Sequence, residues 1–164
     1  MLIVGAKGFA KEVLEIFQQQ GKITDIAFYD DLNDDIGDYM FNVFPILKNE
    51  VAVKEFFRKN GNQFTIGIGN PNLRFRLSEK FCGLGGNYIS SISTLAHVGN
   101  YDVVIGEGSN VLANSVFSNS VRLGKGCIVY YNVMITHDCV IGDFVELSPE
   151  LHFWDMFRLV NFLR

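Results

Sequence analysis

The sequence predicts an α/β domain with a parallel sheet, followed by a β-solenoid. Three observations carry this reading. Short apolar runs alternate with helical runs over residues 1–93. From Ile105 to Leu147 a large apolar residue returns at every sixth position. An Ile-Gly or Leu-Gly pair recurs every eighteen residues, at 105–106, 123–124 and 141–142.

The elements of the first part follow in order. Leu2–Val4 is an apolar run ending at Gly5, and Phe9, Val13, Ile16 and Phe17 then fall on one helical face. Ile23–Tyr29 reads as a second strand ending in Asp30-Asp31. Glu50–Asn60 carries Val51, Val53, Phe56 and Phe57 at helical spacing and closes at Asn60-Gly61. Phe64–Ile68 is a further strand, after which Asn70-Pro71 opens a helix with Leu73, Leu77 and Phe81. Asn87–Ser91 is the last strand. Strands alternating with helices imply parallel pairing, with helices covering the sheet.

From Ile105 the chain divides into hexads whose first places are Ile105, Val111, Phe117, Leu123, Val129, Ile135, Ile141 and Leu147. In a sequence that is 48% hydrophobic, eight such places in one phase arise by chance on the order of 0.3% of the time. The fifth places are small or modest: Ser109, Ser115, Val121, Cys127, Val133, Cys139 and Val145. Three flat faces of six residues make a coil of eighteen, with the first place of each hexad pointing inward. The recurrent glycine is expected to take the corner that other side chains cannot. An antiparallel domain would show period two without the eighteen-residue echo.

Composition excludes several classes. With 164 residues, 48% hydrophobic, the chain can bury a core and is not disordered. Three cysteines are no disulfide framework. A net charge of −4 disfavours nucleic acid as a partner. No stretch is long and apolar enough for a membrane span, and the N-terminus lacks the features of a signal peptide, so a cytoplasmic location is expected. His97, His137 and His152 lie 40 and 15 residues apart, which returns none of them to the same corner, so no metal is expected. Cys127 and Cys139 read as core fillers, and Cys82 as a helix-end residue.

Several residues stand where chemistry is expected. Gly5-x-x-Gly8-x-Ala10 joins strand to helix and turns backbone N–H groups toward an anion such as a phosphate. A redox dinucleotide fingerprint would want glycine where Lys7 stands. Asp30 and Asp31 end a strand, where carboxylates can bind ribose or base, or simply form a solvated turn. Gly67, Gly69 and Asn70 make a second loop beside the first, or a plain Asn-Pro turn. His137 takes the third place of its hexad, pointing outward near a corner, with Asp138 beside it. It is a candidate base or a surface histidine.

The hexads, the opening Leu2-Ile3-Val4-Gly5-Ala6-Lys7-Gly8-Phe9-Ala10, Phe28-Tyr29-Asp30-Asp31, Ile66-Gly67-Ile68-Gly69-Asn70 with Arg74, and Thr136-His137-Asp138-Cys139-Val140-Ile141-Gly142 occur in that order. Together they resemble the sialic acid O-acetyltransferase and UDP-amino-sugar N-acetyltransferase family, over residues 1 to about 149. The resemblance implies a Rossmann-like nucleotide-sugar-binding domain over 1–93 and a left-handed parallel β-helix acyltransferase domain over 94–150, cut short. It implies acetyl-CoA as co-substrate, a UDP-linked amino sugar or sialic-acid-like sugar as acceptor, and a homotrimer with sites between solenoids. His137 would be the general base, oriented by Asp138. Gly5, Lys7, Gly8, Asp30, Asp31, Gly69 and Asn70 would bind substrate, and the Gly142 N–H would face the oxyanion or acetyl-CoA. Where many members carry a second histidine, Glu146 stands here and is expected to bind substrate.

Residues 151–164, rich in Phe, break the expected pattern, because Phe153, Trp154, Met156 and Phe157 are large for solenoid places. They are expected to be a capping helix or the product of a single-base frameshift. A catalytically inactive or assembly-only solenoid is the competing functional reading.

Overall fold

A computed structural model of the chain describes residues 1–153, 158 and 159. The first part comprises β1 (Leu2–Val4), α1 (Gly8–Gln19), β2 (Ala27–Tyr29), β3 (Tyr39–Met40), β4 (Phe44–Leu47), α2 (Glu50–Asn60), β5 (Gln63–Ile66), α3 (Pro71–Gly83) and β6 (Asn87–Tyr88). The sheet order is β3-β4-β2-β1-β5-β6, parallel except for β3 against β4. Alternation along the strands divides the core. Leu2, Val4, Ala27, Tyr29, Phe64 and Ile66 face Val53 and Phe57 of α2 and Phe81 of α3. Ile3, Phe28 and Ile46 face Ala10, Val13, Leu14 and Phe17 of α1. Of the four large apolar residues of α2, Val53 and Phe57 are buried and Val51 is exposed.

The β3–β4 hairpin is not in the sequence reading. Its turn places Phe41 and Asn42 at φ +51° and +56°, the two left-handed residues of a type I′ turn. The usual Asn-Gly or Asp-Gly signal is missing there. The second strand is also shorter than expected, beginning at Ala27 rather than Ile23.

The second part runs through β7 (Ser91–Ile92), β8 (His97–Val98), β9 (Val104–Ile105), β10 (Asn110–Val111), β11 (Val116–Phe117), β12 (Arg122–Leu123), β13 (Ile128–Val129), β14 (Met134–Ile135), β15 (Val140–Ile141), β16 (Glu146–Leu147), β17 (His152–Phe153) and β18 (Arg158–Leu159). They form three parallel sheets, β16-β13-β10-β7, β17-β14-β11-β8 and β18-β15-β12-β9. From β9 onward each residue pairs with the one eighteen places on, as Asn110 with Ile128 and Phe117 with Ile135, while β7 and β8 pair nineteen places on, as Ser91 with Asn110 and His97 with Val116. This three-sided parallel coil is the solenoid that the hexads predict. First-place residues Val111, Phe117, Leu123, Val129, Ile135, Ile141 and Leu147 share one core with fifth-place Val121, Cys127, Val133, Cys139 and Val145. Fifth-place serines are satisfied by backbone: the Ser115 hydroxyl has the Leu112 and Tyr130 carbonyls as acceptors within reach, at 2.8 and 3.0 Å, for its one proton.

Two expectations need correction. The corners are not turned by the second-place glycines. Positive φ falls on the fourth place of every hexad, at Asp102, Gly108, Asn114, Ser120, Gly126, Asn132, Asp138, Phe144 and Glu150. Gly106 and Gly124 are glycine because the next coil lies against them: a Cβ would come within 2.4 Å of Gly124 backbone and 2.5 Å of Gly142 backbone, respectively. The residues described after 151 also do not form a capping helix. Phe153 pairs with Ile135 and Leu159 with Ile141, keeping the six-residue step from Leu147, and both pack against the solenoid core. A large ring is admitted at the first place because that place faces the coil interior. The rest of the expected capping segment, 154–157 and 160–164, lies outside the described residues.

The face made by β7, β10, β13 and β16 packs on the first part of the chain. Ile16 of α1 meets Leu112 and Ile128. Between them lies a buried polar knot, in which the Thr65 and Ser91 hydroxyls donate to Asn110 Oδ1 at 3.0 and 2.6 Å. Asn110 Nδ2 donates to the Ile66 carbonyl at 2.8 Å.

Candidate functional site

A cleft of about 270 Å³ opens at the carboxyl ends of β1, β2 and β5. In the sheet order, β1 is where the chain changes direction, going first to β2 and β4 and later to β5 and β6 on the other side. Parallel sheets bind ligands at such a point. Gly5, Lys7, Gly8, Asp30, Asp31 and Gly69, expected at the site from sequence, all line this cleft. Gly5 is at φ +107°, and a Cβ there would lie 2.7 Å from Ile68 and 2.9 Å from the Gly67 oxygen, so two strand ends converge closely.

Lys7 occupies the N-cap of α1, but its side chain caps nothing and no acidic residue stands in the first turn. That leaves a helix N-terminus whose N–H groups and dipole favour an anion. The Lys7 ammonium lies 3.5 Å from Asp35 at the exposed rim. The floor is apolar, with Val4, Ile68, Leu73 and Leu77.

The acidic pair splits its work. Asp30 is buried, and its carboxylate accepts from the Leu32 and Asn33 N–H groups and from Asn33 Nδ2, at 2.9 to 3.2 Å, which builds its own loop. Asp31 accepts from the Tyr29 hydroxyl at 2.6 Å and pairs with Lys80 at 3.4 Å, and Lys80 also reaches Glu50 at 3.2 Å. Burial raises the Asp31 carboxyl, but the Tyr29 hydrogen bond and the Lys80 charge outweigh it and hold it below the usual value. The Tyr29 hydroxyl is pushed up to about 12 by burial and then by its bond to Asp31. Asn70 does not line the cleft. Its Oδ1 accepts from Leu73 N–H at 3.0 Å, capping α3 ahead of Pro71.

On the solenoid, His137 and Asp138 sit at the corner between β14 and β15, with His137 Nδ1 2.8 Å from Asp138 Oδ2. Both side chains are more than half exposed. A carboxylate on Nδ1 fixes the tautomer in which Nε2 carries the lone pair. Among the described residues, those lining the cleft all belong to the first part of the chain. The Gly142 N–H, expected to face an oxyanion or acetyl-CoA, donates to the Leu159 carbonyl at 2.9 Å in the ladder. Glu146 lies 3.8 Å from Arg74 at the junction of the two parts. Among the described residues no group of three or more His, Cys, Asp or Glu is placed to hold a metal. No helix there is long and apolar enough to cross a membrane.

Comparison with known proteins adds to this geometry. Residues 1–81 match the family model described as the PglD N-terminal domain. GDP-perosamine N-acetyltransferase of Escherichia coli O157:H7 is 27% identical over 155 residues, covering 90% of this chain and 66% of that protein. The acetyltransferase domain of PglB from Neisseria gonorrhoeae FA1090, solved with acetyl coenzyme A, superposes with TM-score 0.82 at 29% identity, over 96% of this chain and 74% of that one. PerB from Caulobacter crescentus, solved with CoA and GDP-perosamine, gives TM-score 0.78 at 25% identity, over 90% and 68%. Both parts of the chain are therefore similar to acetyltransferases. It spans 66% of the length of the curated relative it matches.

Sequence reasoning missed Phe9, Tyr29, Asn33, Leu73, Leu77 and Lys80 around the cleft. Phe9, Leu73 and Leu77 were visible only as helical apolar positions. Lys80 carried no signal, since its partners stand 49 and 30 residues away in sequence. The role of Arg74 was equally hidden.

Proposed function

We propose that the protein transfers an acetyl group from acetyl-CoA to the amino group of a nucleotide-linked sugar. The observation that carries this reading is the His137–Asp138 pair at 2.8 Å on a corner of the coil. The anion-favouring cleft in the first part, read as a Rossmann-like domain beside a left-handed β-helix, would bind the nucleotide diphosphate. The relatives support the substrate class: one is named for GDP-perosamine N-acetylation, and two were solved with acetyl coenzyme A or with CoA and GDP-perosamine. GDP- and UDP-linked sugars both fit the class.

The step follows from the residues. His137 Nε2 takes a proton from the sugar amine as nitrogen attacks the thioester carbonyl. The C–N bond forms, the tetrahedral intermediate collapses with loss of the C–S bond, and the thiolate leaves as CoA thiol with the proton from His137. Asp138 stabilises the imidazolium in between. In this reading the protein is a cytoplasmic homotrimer, and the cleft of one copy draws on His137 of a second.

Thiol release from acetyl-CoA in the presence of GDP-perosamine or a UDP-amino sugar tests this. His137→Ala is expected to lower the rate by about 10²–10⁴-fold, with binding retained. Equal rates remove His137 as base. No release from the native chain returns the assembly-only reading.

A further inference from the structure

Arg74, on the first turn of α3, is fully buried. A guanidinium withdrawn from water must find partners for its donors. Its Nε donates to the Gly126 carbonyl at 3.0 Å and Nη2 to the Phe144 carbonyl at 2.9 Å. Nη1 donates to the carbonyls of Ile68, at 3.4 Å, and of Gly69. Two acceptors therefore belong to the cleft wall after β5, and two to equivalent corners of successive coils. Glu146 supplies the opposite charge 3.8 Å from Nη1.

The contact on the solenoid side falls on a strained residue. Phe144 stands at φ +56°, a region that a bulky side chain rarely enters. Arg74 holds its carbonyl, and Phe75, next on α3, packs edge-on against its ring at 5.4 Å. On the other side, the position a Gly69 Cβ would take is 3.9 Å from Glu146 Oε2. Cleft wall, guanidinium, carboxylate and corner thus form one packed unit.

We infer that Arg74 is a positioning residue for the nucleotide-sugar site. It ties the Ile68–Gly69 wall to the solenoid corners at Gly126 and Phe144 and to Glu146, so that occupancy of the cleft and the geometry of residues 126–146 are set together. The inference rests on the cleft being the nucleotide site proposed above. Lysine cannot replace the guanidinium here, because a point ammonium with three donors cannot span four carbonyls held by a planar fork.

Arg74→Lys in the full chain is compared with the native protein and with Phe117→Leu, a variant of the buried solenoid core. GDP and UDP are titrated by calorimetry, thermal melting is recorded, and backbone hydrogen exchange is followed with and without nucleotide. R74K is expected to weaken nucleotide binding about tenfold, beyond any loss in F117L at a matched fall in Tm. In the native protein, nucleotide slows exchange over residues 124–128 and 142–146. Binding by R74K equal to that of the native protein or of F117L overturns the inference and makes Arg74 an anchor of stability alone. So does native exchange in those segments that ignores nucleotide, a result that stands even if R74K does not fold. If the native chain binds neither nucleotide, the cleft assignment itself fails, and the inference with it.

Discussion

Replacing Gly106 by alanine tests why glycine recurs at the second place of the hexad. The added methyl would lie 2.4 Å from the Gly124 carbonyl carbon, and 2.5 Å from both its oxygen and the Lys125 nitrogen. Carbon atoms settle about 3.5 to 4.0 Å apart, so the coils would have to part locally by about 1 Å. No side chain can rotate out of the way. The obstacle is backbone, pinned by Gly106 N–H to Leu123 oxygen and Gly124 N–H to Ile141 oxygen, each at 2.8 Å. Overpacking usually costs about 1–3 kcal/mol, and a backbone obstacle places this variant at the upper end, about 3 kcal/mol. Gly83 at the end of α3 is the control, since a Cβ there meets nothing within 4 Å. Gly83→Ala is expected to be neutral or to stabilise by up to about 1 kcal/mol. Urea unfolding followed by circular dichroism measures both, with equal slopes required for the comparison. A G106A loss under about 0.5 kcal/mol, the ordinary surface value, would refute close coil stacking as the reason for glycine.

Asn132 stands at φ +59°, so Asn132→Val is expected to cost about 1–3 kcal/mol while Asn132→Gly stays near native; equal melting temperatures for both would count against a left-handed corner there. At high pH, Tyr29 and Tyr131 each have a hydroxyl pushed up from 10.0 to about 12, first by burial and then by the acceptors Asp31 and Glu12. A pKa raised in the folded state gives stability that is complete below pH 10 and lost as pH climbs toward about 12. The urea midpoint should fall across that window, with a smaller fall in Tyr29→Phe; a flat midpoint would reject the assignment. Asp31 works the other way: held below the ordinary 3.8, it supports the fold above that value and withdraws its support as pH falls further.

The six-residue frame was legible because every coil stacks on its own repeat, so one inward place recurs and must stay apolar. Val111 through Leu147 obey that demand without exception. The residue that bends each corner was not legible, because the fourth place accepts Gly, Asn, Asp, Ser, Glu and even Phe144. No single residue type marks it. The run after residue 150 misled for a related reason. Its aromatic character hid that Phe153 and Leu159 keep the inward frame. At the cleft, the glycines and acids after β1, β2 and β5 announced themselves by position. What they do did not. Whether a short polar side chain turns toward a ligand or toward its own backbone depends on loop geometry, and Asp30 and Asn70 both turned to their own backbone. The junction was opaque altogether, since Arg74 finds its solenoid acceptors 52 and 70 residues away and Asn110 reaches back 44 residues to Ile66.

The left-handed corners also bear on how a reactive pair can arise on such a coil. Asp138 occupies one of them, at φ +59°. The backbone there already narrows the choice toward Gly, Asn and Asp, the residues that tolerate it best. An aspartate at that place therefore meets a demand of the coil before it meets any demand of chemistry. The carboxylate comes with the architecture, and a histidine one residue earlier is all that must be added to give the 2.8 Å pair. Asp102, on the same edge of the coil two turns earlier, presents the same acid without the ring: the residue before it is Tyr101, and its carboxylate is bonded to Arg122 at 3.0 Å. A solenoid of this kind is a rack of equivalent sockets, and at residue 137 an imidazole stands beside one of them.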